Sequence, residues 1–467
     1  MLMGSVGQKI VSLTYFTFLA RTLGKTQTGE YTAALAMSTL FVVFIDLGLT
    51  NVLIRDGAKH QNNLAHLFSE VLSIKILTGL LSYGALLLMC SLLNFEASFI
   101  LLVSLSGITM LVDSLHLSLY GYLRAHNQLQ YEAIGMVASQ IITLVIGSVC
   151  LILKLPLITL MLSFLIASIA NAGYAFFWTK NYGLRITNLT FTKNLKPLLL
   201  TAIPFALAVI FGRFYSYVDI IFLKKIAGNA AVGIYSTPSK ITFAFQFIPL
   251  ALIATLYPTL SQLYTTNLYR FREILTQSIL YLLAIALPIS IGILLLAEPI
   301  IILAFSKEYL ESVQPLRIMI VSLIFSFLSF PLGAALNASG HEKRQTVITG
   351  CALLVNIIAN LVLIPRYGAL GAAYAALLGN AGLGLAGFFL LPHTVSILPG
   401  LFFQKVLKLI GAVSIMAFTI LYLFDSIHFL VLIILSGLVY SVSVLCFKVF
   451  SFHDIKVLLQ NLRPKNV

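Results

Sequence analysis

Apolar positions run through the chain in windows of about 20 residues, and the polar positions between them come in short clusters. A strand would alternate with period 2, and a surface helix would show one apolar face. Neither pattern appears. Helices that are apolar all round and about 20 residues long fit a hydrocarbon layer about 30 Å thick. The alternating segments of about 10 residues that mark a membrane β-barrel are missing. The runs predict spans near 3–20, 31–54, 68–93, 98–123, 131–153, 156–178, 198–223, 235–262, 274–296, 313–337, 345–364, 369–391, 405–424 and 428–450. That makes about 14 transmembrane helices in an all-α polytopic membrane protein, and an even count puts both termini on one side.

Composition agrees with this class. Of 467 residues, 60% are hydrophobic and 9% charged, where a soluble chain carries about 25% charged residues. The formal charge of +14 does not point to nucleic acid, because no basic stripe interleaved with aromatics stands outside the apolar runs. Its distribution instead orients the chain. With the N-terminus cytoplasmic, seventeen of the 29 basic residues fall in inner loops or the tail, seven in outer loops and five within spans. That bias predicts both termini inside. Residues 1–24 carry a lysine within the apolar stretch and no small-x-small cleavage site, so they read as the first span. Cys90, Cys150, Cys351 and Cys446 lie in apolar runs without metal-type spacing and read as packing residues.

Polar connectors divide the spans. The longest, Lys180 to Lys196, holds four basic residues and no acid, and Trp178 precedes it as an interfacial aromatic. The expected organisation is an N-lobe at 1–180, a cytoplasmic basic linker at 181–197, a C-lobe at 198–392, and two extra helices with a cytoplasmic tail at 393–467. An internal repeat supports two lobes. Gly24-x4-Gly29-x-Tyr31 follows the first span, and Gly228-x4-Gly233-x-Tyr235 follows the seventh with the same spacing. Two six-helix lobes in the same orientation imply a pseudo-two-fold axis along the membrane normal and a path between them. Residues 298–314 are expected to form a short hairpin or a segment dipping into the interface.

Charges inside spans are the candidate chemistry. A basic residue at a helix centre costs about 2.5–3.5 kcal/mol on insertion scales, so it usually faces protein or water. Arg213 lies about 15 Å inside the outer end of its span, too deep to reach water easily. Its fork suits a diphosphate; an internal ion pair is the other reading. Asp219, six positions on, faces about 120° away and is a poor partner. Lys75 shares a face with Thr78, Gly79 and Ser82, and Lys9 with Ser5 and Ser12. Both stripes would suit a polar cavity. Lys240 and Arg317 lie only a turn or two inside their outer ends, where interfacial anchoring and substrate contact are equally open. Among the acids, Asp46 accompanies Thr39 and Thr50, and Asp113 shares a polar stripe with Ser106, Thr109, His116 and Tyr120. Asp46, Asp113 and His116 are ion-coupling candidates; helix–helix hydrogen bonding or pairing with a lysine is the alternative. Asn356 and Asn360 read as packing contacts. Gly382-x-Gly384-x-x-Gly387 matches a dinucleotide fingerprint as a string, but it lies inside an apolar helix and follows no strand, so it reads as close helix packing.

Several stretches resemble polysaccharide exporters of the O-antigen flippase type. They are ARTLGKTQTGEY at 20–31, FIDLGLTNVLIR at 44–55, GIYS at 233–236 through YPTLS at 257–261, ALNASG at 335–340 and NLVLIPRYGALGAA at 360–373. The resemblance is nearly chain-long, and the last motif is the most specific. It implies the MATE-like fold shared with multidrug and toxin extrusion transporters and lipid II flippases. It also implies transport of undecaprenyl-diphosphate-linked oligosaccharide across the bacterial inner membrane, alongside a glycan polymerase and export machinery.

The expected function is therefore a flippase with no enzymatic activity, no cofactor and no metal, working by alternating access through a cationic cavity. Arg213, Lys75, Lys9, Lys240 and Arg317 would bind a polyprenyl-diphosphate-linked glycan, with membrane lipids around the tail. An ion-coupled multidrug exporter of the same fold is the alternative, but it would place more acid than base in the spans. A membrane glycan polymerase or ligase would need a large outer loop with paired carboxylates in a cleft, and Glu308 with Glu311 offers little of one.

Overall fold

Runs apolar on every face satisfy their backbone polar groups internally and so fold as helices. The computed structural model describes residues 2–184 and 195–450, and no strand occurs among them. Sixteen α-helices follow in order: α1 (Leu2–Asp46), α2 (Leu49–Lys59), α3 (Leu64–Leu92), α4 (Ala97–Ala125), α5 (Leu129–Ile152), α6 (Leu157–Asn181), α7 (Leu195–Ile226), α8 (Gly228–Phe245), α9 (Phe247–Thr266), α10 (Leu268–Leu295), α11 (Ala297–Phe305), α12 (Val313–Ala338), α13 (Glu342–Tyr367), α14 (Ala369–Phe389), α15 (Pro399–Leu423) and α16 (Phe429–Cys446). Most of the basic connector at 181–197, and the tail from 451 onward, lie outside the described residues.

Among the described residues, twelve stretches are long and apolar enough to cross a membrane. The first, Gly7–Asp46, has 40 residues and would be about 60 Å long if straight, twice the hydrocarbon thickness. It is broken at Gly24, with φ 71° and ψ 175°. Tyr15 and Tyr31 interact across the break, although a straight helix would hold them about 24 Å apart. The chain folds back there, and one residue does the work of the loop expected at 21–30. With α1 counted as two crossings, α7 added and α8–α9 counted once, the helices match the fourteen expected spans. One end differs from expectation. The second span stops at Asp46, and positive φ at Leu47 and Gly48 turns the chain into the separate α2. Residues 298–314 form α11 and a 3-10 turn at Lys307–Ser312.

The helices gather into two compact units, Met1–Thr237 with Asn360–Ala369, and Pro238–Ala359 with Leu370–Val467. In the first, α1 packs on α3, α4, α5 and α7, while α4 and α5 pack on α6. Its core includes Phe68, Val71, Leu119, Tyr120 and Leu123. Polar ties hold the helices in register: Tyr120 donates to Asn171 Oδ1 at 2.6 Å, and the Arg124 Nε donates to the buried Glu132 Oε2 at 2.5 Å. The helix α7 and the opening of α8, expected in the second lobe, fall within this unit, where α1 packs on α7. In the second unit, α10 packs on α9, α12 and α15, around Phe271, Leu275, Ile279 and Leu332. Tyr440 donates to the Ala284 carbonyl at 2.7 Å, and Arg272 Nε to the Ser396 carbonyl at 2.8 Å. Gly384 lies against the Phe325 carbonyl, where an added Cβ would come within 2.9 Å, and Gly387 against Leu332 at 3.3 Å, so these two glycines of the string pack closely, whereas a Cβ on Gly382 would meet nothing within 4 Å.

Candidate transport site

The turn after α1 builds the first cluster. It returns the chain so that Thr50, four residues after Asp46, donates its hydroxyl to Asp46 Oδ1. Lys75, in the middle of α3, brings its ammonium 2.5 Å from Asp46 Oδ1 and donates to Thr50 Oγ1 at 2.7 Å. Lys75 is 4% exposed. Thr78, one turn further, donates to the Ile45 carbonyl at 2.9 Å, where α1 ends. The lysine expected to meet substrate is thus sealed into an ion pair, and the aspartate expected to couple an ion is its partner. In a low-dielectric setting each charge neutralises the other; the lysine is closed off, while the Asp46 side chain keeps 23% exposure.

A second cluster stands nearby on α4 and α6. Asp113 accepts a hydrogen bond from Ser168 on α6, and its Oδ1 lies 3.5 Å from His116 Nδ1. An imidazole beside a half-buried carboxylate can exchange a proton with it.

Arg213 behaves differently. It is exposed and has no hydrogen-bond or ion-pair partner among the described residues. Its neighbour Phe214 meets Phe44 edge-on, with ring centroids 6.0 Å apart. Phe44 is two residues before Asp46, so Arg213 sits at about the level of the Asp46–Lys75 pair. The nearby Asp219 is committed elsewhere: it is 4% exposed, accepts from Tyr235 at 2.7 Å and accepts from Asn360 Nδ2 at 2.6 Å. That agrees with the poor angular match between Asp219 and Arg213. Lys9 is half-buried in the first unit. Lys240 and Arg317 are half-buried in the second. Ser5, expected on the Lys9 stripe, has no described side chain.

A family model described as a polysaccharide biosynthesis protein matches residues 1–264. The chain belongs to that family. A second family model, MatE, matches residues 204–362. A protein named as an O-antigen transporter in Shigella flexneri is 28% identical over 388 residues, covering 78% of this chain and 89% of its own. The capsular polysaccharide biosynthesis protein CapF of Staphylococcus aureus is 25% identical over 348 residues, covering 74% and 86%. Among solved structures, the lipid II flippase MurJ in an inward closed conformation superposes with a TM-score of 0.79 at 18% identity, covering 96% of this chain and 99% of that one. At that identity the likeness establishes a shared fold.

Within this member of the polysaccharide biosynthesis family, sequence reasoning missed the partners rather than the charges. Thr50 and Ser168 are ordinary hydroxyls until the fold places them on Asp46 and Asp113. Asn360, read as a packing residue, donates to a carboxylate 141 positions away. The offsets of four between Asp46 and Thr50 and of three between Asp113 and His116 were the usable signals, and the sequence placed both pairs together; the pairings that cross between helices leave none.

Proposed function

We propose that the protein flips an undecaprenyl-diphosphate-linked oligosaccharide from the cytoplasmic to the outer leaflet of a bacterial plasma membrane, for cell-surface polysaccharide synthesis. One observation carries the substrate chemistry: Arg213 is exposed at mid-span and has no hydrogen-bond or ion-pair partner among the described residues. An uncompensated cation there is costly, and a diphosphate that accepts a bidentate hydrogen-bonded pair offsets the cost. The family, and the relatives named for O-antigen and capsule, support the glycan part of the reading.

In this mechanism the head group enters from the inside, Arg213 engages the diphosphate, and the polyprenyl tail stays in lipid. Lys9 in the first unit, and Lys240 and Arg317 in the second, are the further candidate contacts for the head group. Lys75 stabilises the site through Asp46 and touches no substrate. Outward movement of a dianion is driven by an inside-negative potential and gains about 2.3 kcal/mol per charge per 100 mV, less whatever the moving cations cancel. Asp113 with His116 is the proton-exchanging candidate that could drive the return. Both termini lie in the cytoplasm, and the product passes to a polymerase and export machinery outside.

A strain lacking the protein should accumulate the lipid-linked oligosaccharide out of reach of glycosidase added to spheroplasts, as read by mass spectrometry of extracted lipids. Normal outer-leaflet levels would reject the reading. The MatE match favours a second reading, ion-coupled drug export, which predicts unchanged lipid-linked sugars and raised accumulation of cationic dyes in the same strain.

A further inference from the structure

The repeated glycine motif is absorbed by none of the chemistry above, yet its two copies meet. Gly24 and Gly228 both have positive φ, 71° and 81°, and each starts the helical arm that carries the second glycine of its copy. Those second glycines, Gly29 and Gly233, pack backbone to backbone. A Cβ on Gly29 would overlap the carbonyl oxygen of Asn229 and lie 2.7 Å from Gly233 N. A Cβ on Gly233 would overlap the carbonyl oxygen of Lys25 and lie 2.7 Å from its carbon. Lys25 and Asn229 are themselves equivalent, each one residue after the positive-φ glycine. The contact is therefore two-fold symmetric in sequence: position 29 on the residue after 228, and position 233 on the residue after 24. Only glycine permits it at either place, because both neighbours are main chain and cannot rotate away.

A second contact lies beside it. Lys224 Nζ sits 4.1 Å from the centroid of the Phe99 ring and donates to Asn229 Oδ1. Lys225 Nζ donates to the Leu93 carbonyl at 2.6 Å. These lysines bind the end of α7 to the connector between α3 and α4. By the order of crossings, that connector, the Gly24 bend and the α7–α8 turn all lie at the same end of the helices, the end the charge bias places outside.

We infer that Gly29 and Gly233, with Lys224 and Lys225, form a latch that closes the outer end and must part once in each transport cycle. The chemistry suits a reversible contact. Two close backbones without interlocked side chains can separate as rigid arms, and a cation on a ring gives up a modest attraction when water reaches it. Gly24 and Gly228 free each arm to pivot.

The inference rests on the alternating-access reading, and the test separates the two. In a cysteine-free background, Leu93→Cys and Lys225→Cys are bridged with a short bifunctional thiol reagent. Export of lipid-linked glycan should fall at least tenfold and return on reduction. If the bridged protein exports as fast as the unbridged one, the latch is a static joint and the inference is overturned. If the unbridged protein exports no glycan, the functional reading fails, and a measurement independent of substrate decides the latch. Tyr31→Cys, at a residue 3% exposed, is labelled with a membrane-impermeant maleimide applied from outside, with and without Gly233→Ala. The added methyl should wedge the arms apart and raise labelling at least tenfold at equal abundance. Equal labelling in the two backgrounds would overturn the latch.

Discussion

Arg213 and Lys75 carry the same charge inside two helices of the first unit, and their surroundings differ. Arg213 is exposed and has no ion-pair partner among the described residues, so Arg213→Ala should leave abundance unchanged and lower glycan export at least tenfold. Arg213→Lys keeps the charge without the fork and should fall between. Lys75 faces Asp46 and Thr50 instead. Lys75→Met strands a carboxylate and Asp46→Asn strands an ammonium, and breaking such a pair costs about 3–5 kcal/mol. The double variant Asp46→Asn with Lys75→Met removes both charges and should recover most of the lost stability, as thermal unfolding in detergent would show. Recovery of stability without recovery of export would instead give Lys75 a part in transport. The pair of Arg124 with Glu132 makes an asymmetric prediction. Side-chain exposure is 32% for the arginine and 3% for the glutamate. Arg124→Ala leaves a buried carboxylate alone and should cost about 3–5 kcal/mol. Glu132→Ala leaves a cation that water can reach, and should cost less than half of that in the same unfolding measurement.

Helices in this protein approach one another where side chains shrink to hydrogen, and those places differ sharply in tolerance. Gly135 on α5 faces the Tyr120–Asn171 hydrogen bond: an added Cβ would overlap the tyrosine hydroxyl and come within 2.7 Å of Asn171 Oδ1. Gly147 faces the ring of Tyr15, with Cε2 at 2.6 Å from such a Cβ. Overpacking of this kind costs about 1–3 kcal/mol, so Gly135→Ala and Gly147→Ala should lower the unfolding temperature. Gly84 on α3 meets nothing within 4 Å, and Gly84→Ala should be neutral or slightly stabilising. The bend in α1 depends on a different property of glycine. Gly24, at φ 71° and ψ 175°, occupies a region open essentially to glycine alone, and strain of that kind costs about 1–3 kcal/mol. Gly24→Ala should reduce the amount of folded protein in the membrane, measured as the monodisperse fraction after detergent extraction.

Fourteen crossings place loops of the same parity on one side. The lysine of α7 that reaches the Leu93 carbonyl joins two such loops, which is what the parity requires. With both termini inside, a cysteine at Gly183 should react only after permeabilisation, whereas one at Lys154 or Ile226 should react from outside in intact cells. The reverse pattern would invert the molecule and point Arg213 toward the opposite leaflet route. The seventeen-to-seven division of basic residues between the two sides favours the first outcome, since translocating a basic loop is opposed by the potential.

Class and span count follow from local properties: about 20 apolar residues in a row must be helical in a bilayer, and Gly24-x4-Gly29 recurring as Gly228-x4-Gly233 declares a repeat. The mid-span charges were legible for the same reason, because each stands out against apolar neighbours. What each charge does was not legible. Lys75 and Arg213 look alike in the string, and only the turn at Leu47–Gly48 and the packing of α3 on α1 give one a carboxylate and leave the other without. Asn360 reaches Asp219 across 141 positions, a distance no helical period encodes. The two copies of the glycine motif could be counted from the sequence, but their meeting could not, since a close backbone contact depends on where whole helices end. Local periodicity determined which elements form; partner choice between elements belonged to the tertiary structure.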